Sequence, residues 1–179
     1  LVNVASDHAD RFEITPGSRV LRFVSSGFDV AVLDVMMTLI GGGTLVLAPR
    51  RKLIPGPEMA EIMTQQSISH LQATPSALAI LPVREYPALK FVIFGGEPLS
   101  RDLVQRWWKQ AACFNAFGPT ETSICVSTSG PLDPENRISI GSPIRNTRFY
   151  VLDETLDPVP VGVPGRLFVS GTGVVRGYR

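Results

Sequence analysis

A chain of 179 residues with 44% hydrophobic and 18% charged side chains can bury a core, which excludes an intrinsically disordered segment. Its 17 basic and 16 acidic side chains leave a net charge of +1, too little to attract nucleic acid or an anionic membrane. Two cysteines, Cys113 and Cys125, cannot form a disulfide framework, and Asp34 and three glycines interrupt the longest apolar stretch, Val30 to Leu47, so no membrane span is expected. No charged-then-apolar leader follows Leu1, and the expected location is cytoplasmic.

In chain order, Arg19 to Ser25 predicts a strand, and Phe28 to Ile40 predicts a helix that is apolar nearly all round and therefore buried. Gly41 to Gly43 end that helix, and Thr44 to Ala48 read as the next strand. Pro57 suits the first turn of a second helix, with Met59, Ile62 and Met63 at helical spacing. Ile68 to Ala73 form a third strand, with a short helix after Pro75. Leu89 to Phe94 is a nearly continuous apolar run, as in a strand covered on both faces. Ser100 is a candidate N-cap for a helix with Leu103, Val104 and Trp107 on one face, and Phe114 to Phe117 complete the series. Residues 1–120 thus predict an α/β unit, a mostly parallel sheet flanked by helices. From 121 to 179 helical periodicity gives way to short β-type runs at Ile124 to Ser127, Arg148 to Leu152 and Arg166 to Ser170. With turns at Pro158–Pro160 and Val163–Gly165, this part reads as hairpins or a distorted barrel.

No GxxxxGK[ST] loop, HExxH or GxSxG elbow is present. Gly171, Gly173 and Gly177 are spaced one residue too far for a dinucleotide loop and suit tight turns, while His70 in its strand reads as structural. Three segments carry chemistry. Asp29 enters an apolar helix, where a carboxylate either takes the helix dipole or waits for a cation. Gly95-Gly96-Glu97 ends a strand, where it is either a simple tight turn or a place for a flat ligand to approach the backbone. Asn115 to Glu121 (NAFGPTE) offers an amide, a ring, a turn, a hydroxyl and a carboxylate within seven residues, an inventory that suits a nucleotide.

In this order the segments resemble the adenylate-forming superfamily, most closely the amino-acid-activating adenylation domains of non-ribosomal peptide synthetases. Phe28-Asp29 through Gly43 to Leu47 resembles that family's FDxxV…GATLVL. Leu71 to Ser76 is similar to LQxTPS, Gly95 to Leu99 to GGE(A/P)L, and Asn115 to Glu121 to NAYGPTE with Phe117 for Tyr. Ile140 to Tyr178 is similar to the later IGxPIxNTxxYVLD…GxGxxRGY pattern, with Arg166 where the family has Glu. The resemblance covers nearly the whole chain.

It implies a reaction of amino acid and ATP to aminoacyl-adenylate and pyrophosphate, followed by transfer to a carrier-protein phosphopantetheine thiol. Adenine is then expected against Gly95, Gly96, Glu97 and Phe117, with Asn115, Ala116 and Gly118 completing its site. Thr120 is expected on the α-phosphate and Glu121 on Mg²⁺. Asp29 would meet the substrate ammonium, within walls formed by Val30, Leu33, Gln72, Ile93, Gly95, Ala116, Ile124 and Cys125. The apolar walls favour a medium or large, mostly apolar side chain, to which Gln72 adds one hydrogen bond. The family's upstream phosphate loop, ribose-binding aspartate and C-terminal lysine have no counterpart here, so an internal fragment, inactive alone, is expected. Carrier and condensation domains would be its partners. An acyl- or aryl-CoA ligase of the same superfamily, or a non-catalytic remnant, are the alternatives.

Overall fold

The computed structural model describes residues 1–178. Among them nine strands and five α-helices follow in order: α1 (Val2–Arg11), β1 (Arg19–Leu21), α2 (Val30–Ile40), β2 (Thr44–Val46), α3 (Pro57–Gln65), β3 (His70–Ala73), α4 (Pro75–Ile80) and β4 (Phe91–Gly95). Then come α5 (Arg101–Trp107), β5 (Ala112–Phe117), β6 (Ser127–Thr128), β7 (Ser142–Pro143), β8 (Thr147–Leu152) and β9 (Arg166–Gly171). The main sheet has the order β2-β1-β3-β4-β5-β6-β7, parallel from β2 to β5 and antiparallel from β5 onwards. β8 and β9 form a separate antiparallel hairpin.

Local chemistry starts the helices where expected. Pro57 opens α3, the Thr74 hydroxyl accepts from the Ala77 amide at 3.4 Å at the head of α4, and the Ser100 hydroxyl accepts from the Leu103 amide at 3.3 Å at the head of α5. β4 is buried from Phe91 through Phe94, and its side chains alternate between two cores. Val92 and Phe94 enter the core under α3, α4 and α5 with Met59, Met63, Leu78 and Trp107. Phe91 and Ile93 enter the core under α1 and α2 with Phe12, Leu33, Met37 and Phe114. The helices therefore cover both faces of the sheet, as a continuous apolar strand requires.

Several expectations change. Some strands are shorter than the apolar runs: Arg22 to Ser25 leave the sheet after β1, and of the run from Ile124 only Ser127 is in a strand, paired in β6 with Thr128 beside it, whereas β5 starts two residues earlier than expected. The helix expected to be buried all round exposes one side, with Phe28, Val32, Leu39 and Ile40 beside exposed Leu47 just past edge strand β2. Its apolar character is thus a core face plus an outer face, which sequence periodicity does not separate. Helix α1 has no counterpart among the expected elements, because it buries mainly small and polar residues, Val4, Ala5, Asp7, His8 and Ala9. Among the described residues the C-terminal part is a hairpin and not a barrel, while β6 and β7 extend the main sheet past residue 120. No helix of the described residues is long and apolar enough to cross a membrane.

His70 has the structural role its strand suggested. Its Nε2 donates to the Phe12 carbonyl at 2.7 Å, its Nδ1 lies 2.7 Å from the Ser69 hydroxyl, and its ring stacks on Phe91. Two buried titratable groups lack partners: neither ring nitrogen of His8 nor either carboxyl oxygen of Asp34 has a hydrogen bond. Burial pushes Asp34 up to about 8, only partly offset by Arg22, and burial lowers His8 to about 4. His70 is lowered as well, again mainly by burial.

These shifts set a pH profile. Between its unfolded value near 4 and about 8, Asp34 is ionised in the unfolded chain and protonated in the folded one, so stability falls by about 1.4 kcal/mol per pH unit. His8 acts with opposite sign between about 4 and 6.5, and the two slopes cancel there. His70 adds a further loss on the acid side, which places the maximum of these three contributions near pH 6.5. Denaturant titrations of the chain are expected to show stability falling from pH 6.5 to 8, and Asp34→Asn is expected to flatten that fall. An unchanged slope in the variant would refute the assignment.

Candidate functional site

In an open parallel sheet, ligands gather at the carboxyl ends of the strands. Here those ends carry Gln72 to Thr74 at the end of β3, Gly95 to Glu97 at the end of β4 and Ala116 to Thr120 at the end of β5. Two cavities meet on this edge. The first, of about 400 Å³, lies between the start of α2, the ends of β3, β4 and β5, and Ile124-Cys125. The second, of about 550 Å³, lies between Gly96 to Leu99, Asn115 to Pro119 and the Ile138–Ile140 segment. Gly96, Glu97, Ala116, Gly118 and Pro119 line both, so the two cavities share a wall.

Asp29 sits at the N-cap of α2 and lines the first cavity, and its carboxylate makes no capping bond to the helix. It is half-buried and open to an incoming cation. Val30, Gln72, Gly95, Ala116, Thr120, Ile124 and Cys125 line the same cavity. Leu33 and Ile93 do not: both are fully buried in the core beneath α1 and α2, one layer behind the cavity surface. Leu33 lies four residues after Asp29, one helical turn along α2, but its side chain is in the core. Val24, Phe28 and Thr74 line the cavity in addition, as loop and cap positions that periodicity does not mark. Gln72 is 4% exposed, and its Oε1 is buried without a partner.

The second cavity takes Asn115, Ala116, Phe117 and Gly118 from the end of β5. The Asn115 Nδ2 donates to the Ser139 carbonyl at 3.0 Å, which leaves Oδ1 as its free acceptor. Phe117 is the last residue of β5 and is 39% exposed, so its ring is free to stack. Of the Ile138–Ile140 wall, a loop that precedes β7, Ser139 and Ile138 carry no sequence signal, and Ile140 is the first residue of the later motif. Glu97 lines both cavities, while its two carboxylate oxygens accept from the Ser76 amide at 2.9 Å and the Ser76 hydroxyl at 2.8 Å.

Two glycines are required by geometry. Gly96 has φ +81°, and a Cβ at Gly118 would lie 2.6 Å from the Cys125 Cα and the Ile124 carbonyl oxygen. That close approach folds the 118–125 loop back on itself, with Ser123 and Ile124 both at positive φ. A β-branched residue rarely adopts this conformation, and here it turns Ile124 into the first cavity. Thr120 and Glu121 open the short 3₁₀ turn of this loop, and both are exposed. Glu121 accepts from the Tyr178 hydroxyl at 3.1 Å, and its carbonyl accepts from the Val175 amide at 2.9 Å.

Comparison with known proteins places this geometry. A family model described as AMP-binding enzyme matches residues 1–179, and the chain belongs to that family. More particularly, it is 45% identical over 177 residues to a linear gramicidin synthase of Brevibacillus parabrevis, and 41% identical over 170 residues to a phosphinothricin tripeptide synthetase of Streptomyces viridochromogenes. These alignments cover 99% and 95% of this chain but 4% and 16% of those relatives. Among solved structures, a holo four-domain nonribosomal peptide synthetase bound to AMP and glycine superposes with a TM-score of 0.91 at 31% identity. The match covers 98% of this chain and 14% of that one.

The chemistry of Cys125 can be checked directly. Burial pushes its thiol up to about 11, and Sγ donates to the Ser127 carbonyl at 3.1 Å. The thiol therefore stays protonated at pH 8. Cys113, buried and pushed up to about 12, is less reactive still. Iodoacetamide at pH 8 is expected to modify neither cysteine on the timescale that labels a free thiol, and to modify both once the chain is unfolded. Rapid native labelling of Cys125, read by mass spectrometry, would contradict this placement.

Proposed function

We propose that this chain is an internal part of an adenylation domain that activates an amino acid with ATP, forming aminoacyl-AMP and pyrophosphate. The supporting observation is the pair of adjoining cavities, one with a free carboxylate at a helix start and the other with an exposed ring and a free amide acceptor. In this reading residues 1–120 and 121–179 serve one domain, acting in the cytoplasm. The aminoacyl group then passes to the phosphopantetheine thiol of a carrier domain, with a condensation domain as the further partner.

The second cavity takes adenine. Phe117 stacks on one face, the backbone of Gly96 lies against the other, and the Asn115 Oδ1 accepts from the exocyclic amine; Gly95, expected against adenine, lines the first cavity instead. The first cavity takes the amino acid, with its ammonium on Asp29 and its side chain among Val30, Ile124, Ala116 and Gly95. These walls suit a medium or large apolar side chain, to which the Gln72 amide adds one polar contact. The shared wall brings the substrate carboxylate to the α-phosphate, where Thr120 donates a hydrogen bond.

The residues present fit Mg²⁺. Among the described residues no cluster of three or more ligating side chains exists. Mg²⁺ bound with nucleotides characteristically takes one or two carboxylates and fills its shell with phosphate oxygens and water. Glu121, exposed beside Thr120, would supply that carboxylate. When bound, the ion would neutralise charge on the phosphates.

Asp29 separates this reading from a ligase acting on a simple carboxylic acid, whose substrate has no ammonium to offer. In the complete domain, Asp29→Ala is expected to lower kcat/KM for the amino acid by about 2–3 kcal/mol, or roughly two decades. That is below the cost of breaking a fully buried pair, because Asp29 is half-buried here. Pyrophosphate exchange with each amino acid beside its des-amino analogue provides the measurement. The wild type should prefer the amino acid, and the variant should lose that preference while retaining activity on the des-amino acid. A wild type that prefers the des-amino acid overturns the proposal.

A second measurement concerns Phe117. Its Ala variant is expected to weaken AMP binding about ten- to a hundredfold through lost stacking, while Phe117→Tyr should bind as the parent does. Equal affinity in the Ala variant would remove adenine from this cavity.

A further inference from the structure

Resting on the reading above, we infer that Ser76 and Glu97 form a positioning pair that fixes the wall shared by the two cavities. Ser76 lies in the first turn of α4, which follows β3, and Glu97 lies two residues beyond the end of β4. β3 and β4 are parallel neighbours, paired through Ala73 and Phe94, so the two loops emerge side by side on the ligand edge.

Across that gap the Glu97 carboxylate takes two hydrogen bonds from one residue: the Ser76 amide to Oε2 at 2.9 Å and the Ser76 hydroxyl to Oε1 at 2.8 Å. Bonds to an ionised acceptor are the strong class, and two of them to a planar carboxylate fix its orientation as well as its position. The Ser76 hydroxyl is also 3.0 Å from that of Thr74, the N-cap of α4 and a lining residue of the first cavity. Between the clamped ends lies Gly96, at φ +81° and with Thr74 the nearest side chain to its Cβ position. A two-glycine turn is the least rigid backbone available, yet it forms part of both cavity walls. The pair supplies the stiffness that the glycines lack.

The placement of Ser76 makes this testable. Ser76 is exposed and lines neither cavity, so it touches neither ligand and its effect on binding has to pass through Glu97. Exposure also means that removing its hydroxyl leaves the core intact.

The experiment is pyrophosphate exchange by the complete domain carrying Ser76→Ala or Ser76→Thr, with KM for ATP and for the amino acid measured separately from kcat. Thermal melts run alongside. Ser76→Ala is expected to raise both KM values roughly three- to tenfold with an unchanged melting temperature, and Ser76→Thr, which keeps the hydroxyl, is expected to restore them. Unchanged KM values in Ser76→Ala overturn the pair's role. So does a loss confined to kcat and melting temperature, which is what a merely structural residue would give. A wild-type domain that exchanges while Ser76→Ala matches it overturns this inference alone, whereas a wild type without exchange overturns the proposed function and this inference with it.

Discussion

Strand β4 is buried on both faces, and this constrains the rest of the molecule. A one-residue slip would send Phe91 and Ile93 into the core that fits Val92 and Phe94, and the reverse, so the register is held from two sides at once. Burying four large apolar side chains is worth roughly 1.5–3 kcal/mol each, far more than any single polar contact at the strand's end. The core therefore decides where β4 stops, and Gly95-Gly96-Glu97 is delivered to the sheet edge as a consequence. β3 and β5 are registered against β4 over their whole paired length, so Gln72 and Asn115 are placed by the same packing.

Polar groups divide accordingly. Those at the sheet edge are bonded to neighbours or open to a ligand: Asn115 to Ser139, Glu97 to Ser76, Asp29 free at the helix start. Those under α1 and α2 include His8 and Asp34, sealed from water and held neutral by burial. A protonated carboxyl and a neutral imidazole in an apolar layer weaken the fold at the pH extremes without touching the cavities. The cost of this arrangement falls on stability, and the site keeps its free donors and acceptors.

Much of this is legible in the residues themselves. The continuous apolar run at Leu89 to Phe94 marks a two-faced strand, and Ser100 and Pro57 mark helix starts, because each rests on a local rule that tertiary packing does not override. The turn motifs at Gly95 and Asn115 are legible for the same reason: a glycine pair after an apolar strand says where the sheet edge lies. Leu33 and Ile93, expected in the walls by resemblance, lie in the core instead, because a motif position reports direction from an element's axis, not depth below a surface. Helix α1 escapes sequence reading because it buries alanines, an aspartate and a histidine, which have no apolar signature. Of the Ile138–Ile140 wall only Ile140 falls in a sequence motif, and its place against the cavity is not legible there, since it depends on β7 pairing with β6 across a loop.

Helix α1 also ties together segments that lie far apart along the chain. The Asn3 amide donates to the Arg145 carbonyl at 2.7 Å, the Arg145 amide donates to Asp7 at 3.1 Å, and the Asn146 amide donates to Asn3 at 2.7 Å. These bonds span 138 to 143 residues, and Arg145-Asn146 is the point from which the β8–β9 hairpin departs. Closing a loop of that length carries an entropy cost that no short-range contact offsets along the way. On the ribosome, α1 must therefore wait for the whole intervening sheet to be made before its polar face is satisfied. It has its apolar partners well before its hydrogen-bond partners, and the hairpin acquires a fixed direction only when that latch closes.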